Sequence, residues 1–174
     1  RVRAATPLAG WTQLDGDTYL SKGSVEADLR AVGGSCGAVD AVLTGEASKA
    51  FVAARPPGHH AETELAMGFC VFGTVAIAAK RALDHHGLSR VAIVDFDVHH
   101  GNGTQDLLWD DPRALFCSSQ QMPLFPGTGS AREVGAHGQI VNVPLREGSG
   151  SGVMREAYES VIFPRIRAFK PDLI

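Results

Sequence analysis

The stretch Val91-Ala92-Ile93-Val94-Asp95-Phe96-Asp97-Val98-His99-His100-Gly101-Asn102-Gly103-Thr104 runs from an apolar segment into carboxylates, imidazoles and glycines. A continuous apolar run of this length reads as a strand buried on both faces of a parallel sheet. Ligands of open parallel sheets sit at the carboxyl ends of strands. Asp97 and His99 fall where the run stops and Gly101 and Gly103 let the backbone turn. The pattern is that of a metal site at a strand end, predicted to bury its carboxylates and imidazole against a cation, because burying them unpaired costs several kcal/mol.

Working outward, strands alternate with helices. Val25, Leu29, Val32, Cys36, Val39 and Leu43 predict a helix from about Ser24, which offers an N-cap, to Gly45, with Glu26 and Asp28 in its first turn. Gly33-Gly34 weaken it. Phe51-Val52-Ala53-Ala54 reads as a short buried strand stopped by Pro56-Pro57-Gly58. A second helix is predicted from Gly68-Phe69-Cys70 to about His86, capped by Gly87. After the strand at 91–97 come a short helix near 104–109, a strand Ala114–Cys117, a Pro/Gly loop at 123–129 and a strand at 140–143. An amphipathic helix follows at about 153–169, broken or kinked near Pro164, and Pro171–Ile174 begin another strand. Residues 1–22 read as irregular. The expected fold is α/β, three layers around a mainly parallel sheet, in one domain.

The chain has 174 residues, a net charge of −3 and a mean hydropathy near zero. Those values argue against a general nucleic-acid binder and against a membrane span. Three widely spaced cysteines, Cys36, Cys70 and Cys117, read as reduced thiols and predict a cytoplasmic protein. The chain opens on Arg1 and closes on Pro171-Asp172-Leu173-Ile174, so both ends are expected to be cuts through a larger domain.

His59-His60 follow a rigid Pro-Pro-Gly turn, where adjacent imidazoles can point into one pocket and do acid–base work near neutral pH. Asp97-x-His99 offers an oxygen and a nitrogen of the kinds zinc accepts, and Asp95 can orient a histidine behind them. His85-His86, by contrast, reads as a helix terminus, and His137 as a solvated loop residue.

Four ordered motifs, Arg55-Pro56-Pro57-Gly58-His59-His60-Ala61-Glu62, Met67-Gly68-Phe69-Cys70, Asp95 through Gln105, and Phe125-Pro126-Gly127-Thr128-Gly129, together resemble the histone deacetylase superfamily. The likeness is to its class II branch, with the bacterial deacetylase-like amidohydrolases and acetylpolyamine amidohydrolases, and begins at Leu14–Thr18. The resemblance implies an arginase-like α/β/α fold and a zinc-dependent amidohydrolase acting on acetyl-lysine or acetylpolyamine. It implies Asp97 and His99 as zinc ligands, His60 as general base and His59 as its electrostatic partner. Asp95 would orient His59, and Asn102 stands where a His60 partner is expected. Gly68, Phe69 and Phe125 would line the acyl-lysine tunnel, and a potassium ion would draw on Asp95 and the region of Ser118.

Gln120 departs from the family, which usually has histidine there. The third zinc-ligating aspartate and the carbonyl-polarising tyrosine are expected beyond Ile174, so the isolated chain is expected to bind metal weakly and be inactive. No direct nucleic acid and no membrane is expected as partner, and an oligomer stays open. Two alternatives remain. One is an arginase-like ureohydrolase with two manganese ions, which Gly101, standing two residues after His99, argues against. The other is a non-catalytic acyl-lysine-binding module.

Overall fold

The computed structural model describes residues 2–174. Its centre is a parallel sheet of β3 (Val91–Asp95), β4 (Ala114–Gln121) and β5 (Ile140–Leu145), in the order β3-β4-β5. Asp95 stands opposite Ser118, and Ser118 opposite Asn142. Side chains alternate across a strand. Val91, Ile93, Phe116 and Ile140 therefore face one layer, and Ala92, Leu115 and Cys117 the other.

The first layer is α2 (Ser24–Leu43) and α3 (Thr74–Lys80), α3 running on through a wide π turn at Arg81–His85. Ala76, Ala79, Ala82 and Leu83 pack from it onto the sheet. The second is α5 (Ser151–Ala157), a π turn at Tyr158–Ile162 and α6 (Phe163–Phe169), which set Ile162, Tyr158, Ile166 and Phe169 against the opposite face. The three-layer α/β arrangement read from the sequence is present. Pro164 directly follows the π turn at Tyr158–Ile162, so the helical run is interrupted near the proline, as expected.

Several local expectations change. Residues 2–22 hold a short helix, α1 (Val2–Ala5), and a hairpin of β1 (Trp11–Gln13) and β2 (Tyr19–Ser21). The turn is built by Asp15, whose carboxylate accepts from the Thr18 amide at 2.8 Å. Gly23, not Ser24, is the N-cap of α2, and Asp28 lies buried between Val25 and Ala31 on its inward face. Gly33 and Gly34 sit inside an unbroken helix, Gly34 with Val52 against it at 3.4 Å from an ideal Cβ. Residues 51–54 are exposed and carry no strand, because among the described residues no strand forms a ladder with them. Residues 171–174 contribute one parallel bridge, Val91 to Leu173, rather than a strand. No described helix is long and apolar enough to cross a membrane.

Candidate active site

The site residues expected from the sequence gather at the carboxyl ends of β3 and β4. After Asp95 the chain leaves the sheet in two tight turns. The Asp97 amide donates to Asp95 Oδ1 at 3.1 Å, and the His99 amide donates to Asp97 Oδ1 at 2.8 Å. These turns place Asp97 and His99 side by side, His99 Nδ1 lying 3.3 Å from Asp97 Oδ1. The expectation that this pair is buried fails: the Asp97 side chain is 50% and the His99 side chain 39% exposed. They stand on the rim beyond the strand, where water still reaches them.

His59 and His60 arrive from the Pro57-Gly58 turn with ring centroids 4.0 Å apart. Each has its own partner. Asp95 Oδ2 lies 2.9 Å from His59 Nδ1, and Asn102 Oδ1 lies 2.8 Å from His60 Nδ1. Burial works downward on His59, but the hydrogen bond and charge of Asp95 outweigh it and the imidazole is shifted up. Burial likewise pushes His60 down, and the neutral Asn102 amide does not reverse it. One ring thus favours a proton and its neighbour favours a lone pair, which is how one pocket holds two roles.

Phe125 closes the far side, its ring 5.1 Å from that of His60 and 6.0 Å from that of His99. Gly68 packs against the His60 ring. Gly68 has φ +56, and a Cβ there would lie 2.4 Å from His60 Cδ2, so only glycine lets the ring sit where it does. Gly101 plays the same part behind His59, since a Cβ would meet Asp95 Oδ2 at 2.3 Å. Phe69 is itself left-handed at φ 66, a conformation costing a non-glycine residue roughly 1–2 kcal/mol, and its amide is held by Thr18 Oγ1 at 2.9 Å.

Next in the chain, Cys70 is fully buried and its thiol is pushed up to about 11 by burial, which removes it as a nucleophile. All three cysteines are free, with Cys36 only half-buried.

The sequence reading placed these residues together without showing what supports them. Gln120, the departure from the family pattern, has a structural role: it accepts from Ser118 Oγ at 2.9 Å and donates to the Gly129 carbonyl at 2.7 Å. It ties the end of β4 to the loop bearing Phe125. Glu133 braces the same loop, accepting from the Gly129 and Ser130 amides at 3.0 and 2.9 Å. Thr18 and Glu62 went unassigned because their partners, the Phe69 amide and Asn102 Nδ2, lie 51 and 40 residues away in sequence. Thr18 and Glu62 did fall inside the matched motifs, which was the available signal. His85 and His86 remain at a helix end, His86 Nε2 lying 2.7 Å from Asp40, and His137 is exposed.

A carboxylate and an imidazole side by side match the oxygen and nitrogen donors that zinc takes. Among the described residues no group of three or more His, Cys, Asp or Glu side chains could hold a metal ion. Asp97 and His99 are thus two side chains of the donor types zinc takes, with no third joining them among the described residues.

The profile described as the histone deacetylase domain matches residues 2–174. The chain belongs to the histone deacetylase family. Histone deacetylase 10, chloroplastic, of Oryza sativa subsp. japonica is 46% identical over 169 residues, covering 91% of this chain and 38% of that protein. The histone deacetylase-like amidohydrolase of Pseudomonas aeruginosa is 40% identical over 170 residues, 95% of this chain and 45% of that protein. The crystal structure of acetylpolyamine aminohydrolase from Burkholderia pseudomallei superposes with a TM-score of 0.85 at 32% identity, over 91% of this chain and 47% of that one. The histone deacetylase-family chain thus spans about half the length, or less, of these relatives.

Proposed function

We propose that the protein carrying this chain is a zinc-dependent amidohydrolase that removes acetyl groups from acetylated amines, acetyl-lysine or acetylpolyamine. The observation that carries the reading is the convergence of two differently partnered imidazoles, His59 and His60, on the Asp97–His99 pair beneath Phe125. Asp97 and His99 would hold the zinc ion, with a further ligand from outside these residues. When bound, zinc supplies Lewis acidity toward the amide carbonyl and the attacking water. Asp95 and Ser118, paired across β3 and β4, offer oxygens of the class a potassium ion takes.

His60 takes the proton of the attacking water through the ring nitrogen that Asn102 does not engage, and later returns it to the departing amine. His59, kept toward its cationic form by Asp95, stabilises negative charge as it develops beside it. Phe69 and Phe125, both partly exposed, frame an apolar slot for an acylated aliphatic amine, whose charge acylation has removed. The relatives named as deacetylases and as an acetylpolyamine aminohydrolase support this substrate class. The isolated chain, with two metal donors, is inactive in this reading. We infer a cytoplasmic protein without direct nucleic-acid or membrane partners, a reading that the net charge of −3 and the three free cysteines support.

The test is turnover of fluorogenic acetyl-lysine and of acetylated polyamines by the whole protein, with His60→Ala beside it. The expected outcome is zinc-dependent release of acetate, lowered at least ~100-fold in the variant, the scale of a lost general base. A whole protein that binds acetyl-lysine but never hydrolyses it would favour the binding module instead.

A further inference from the structure

Asn102 is the first residue of α4 (Asn102–Leu107), and its amide touches three side chains. Its Nδ2 donates to Glu62 Oε1 at 2.6 Å and lies 3.3 Å from Met67 Sδ, while its Oδ1 faces His60 Nδ1 at 2.8 Å. A carboxylate and a thioether are acceptors, so the NH₂ edge of the amide belongs on their side. The carbonyl edge is then committed to His60. A carbonyl oxygen only accepts, so His60 Nδ1 must carry the proton, and in the neutral ring the lone pair resides on Nε2. Rotating the amide by half a turn would bring its oxygen against the Glu62 carboxylate and its NH₂ against His60. That orientation selects the other tautomer.

His59 needs no such device, because both oxygens of Asp95 accept. An amide has one accepting edge, and something must orient it. We propose that Glu62 is a positioning residue that sets the tautomer of His60 by orienting the Asn102 amide. The inference rests on the reading of His60 as general base.

The surrounding backbone is built to hold the relay. The Thr63 amide and hydroxyl both donate to Asp106 Oδ2, at 2.8 and 2.7 Å, and the Glu62 amide donates to the Leu65 carbonyl at 2.9 Å. Asp106 lies one turn along α4 from Asn102, so the same short helix presents the amide and anchors the loop that carries Glu62. The Gly103 and Thr104 amides donate to the His59 carbonyl at 2.9 and 3.1 Å, tying the start of that helix to the histidine pair.

The experiment uses the whole protein and three variants, Glu62→Leu, Glu62→Gln and Glu62→Leu with Asn102→Asp. E62L removes the acceptor; kcat falls roughly 100-fold with KM little changed. E62Q keeps an accepting oxygen and recovers most of the rate. The double variant also recovers, because a carboxylate at position 102 accepts from Nδ1 whichever way it turns. Long-range ¹H–¹⁵N NMR reads the tautomer directly: Nδ1-protonated His60 in the parent, mixed tautomers in E62L. Glu62→Ala carries the same expectation should E62L fail to fold. E62L with an unchanged tautomer, or a double variant as slow as E62L, overturns the proposal and leaves Glu62 a loop brace. Full activity in His60→Ala would instead overturn the general-base reading, which the NMR measurement does not depend on.

Discussion

Asp28 has the least comfortable surroundings among the described carboxylates. It is buried on the inward face of α2 between Val25 and Ala31, and neither oxygen has a hydrogen-bond partner among the described residues. Burial raises its carboxyl to about 6. The folded state therefore holds the proton over a pH range where the unfolded chain has released it. The contribution of this carboxyl to stability is full below the unfolded value of 3.8, declines as pH rises from there to about 6, and levels off above. Asp28→Ala is expected to raise stability at pH 7 by roughly 1–3 kcal/mol, the cost of a buried unsatisfied polar group, and to flatten the decline between those two pH values. Thermal melts across that range check it; a slope that persists in the variant would place its origin elsewhere. The sequence made Asp28 a favourable first-turn charge. Its burial follows from the three-residue spacing it shares with Val25 and Ala31, which is visible in the sequence only when the inward face is known.

At the scale of the element, β4 is the central strand of the sheet, paired on both edges and packed on both faces. Phe116 is wholly buried in its first half. Phe116→Ala should destabilise the fold by about 3–5 kcal/mol, measured by urea unfolding, and the loss should spare the local geometry of the rim residues Asp97 and His99. A cost below about 1 kcal/mol would mean that the layer above the sheet collapses into the cavity. Only the apolar half of this strand, Ala114–Cys117, was legible. Ser118-Ser119-Gln120-Gln121 lay beyond the expected strand, yet they continue it because β5 satisfies their backbone and side-chain bonds to Gln120, Tyr158 and Gly129 satisfy the rest. Residues 51–54 failed in the opposite sense: an apolar run with no ladder to join stays extended and exposed.

For the whole molecule, the arrangement places the two proposed zinc ligands, Asp97 and His99, on the rim of one sheet, and among the described residues no group of three or more such side chains could hold a metal ion. Zinc added to the isolated 174-residue chain should therefore shift its melting temperature little, whereas a chelator should abolish deacetylation by the whole protein and zinc should restore it. Tight one-to-one binding by the isolated chain, seen by calorimetry, would contradict a site shared with other residues.

What the sequence determined by itself was local and covalent. The apolar run of Val91–Val94 made a buried parallel strand. The Pro-Pro-Gly turn delivered adjacent histidines, and the Asp-x-Asp-x-His spacing put two donors at a strand end. Tertiary structure alone decided which oxygen serves which ring, that Asp97 and His99 stay on a wet rim, and that Glu62 reaches Asn102 across 40 residues. Hydrogen-bond partners and burial depend on distances between segments remote in sequence, which no local periodicity encodes.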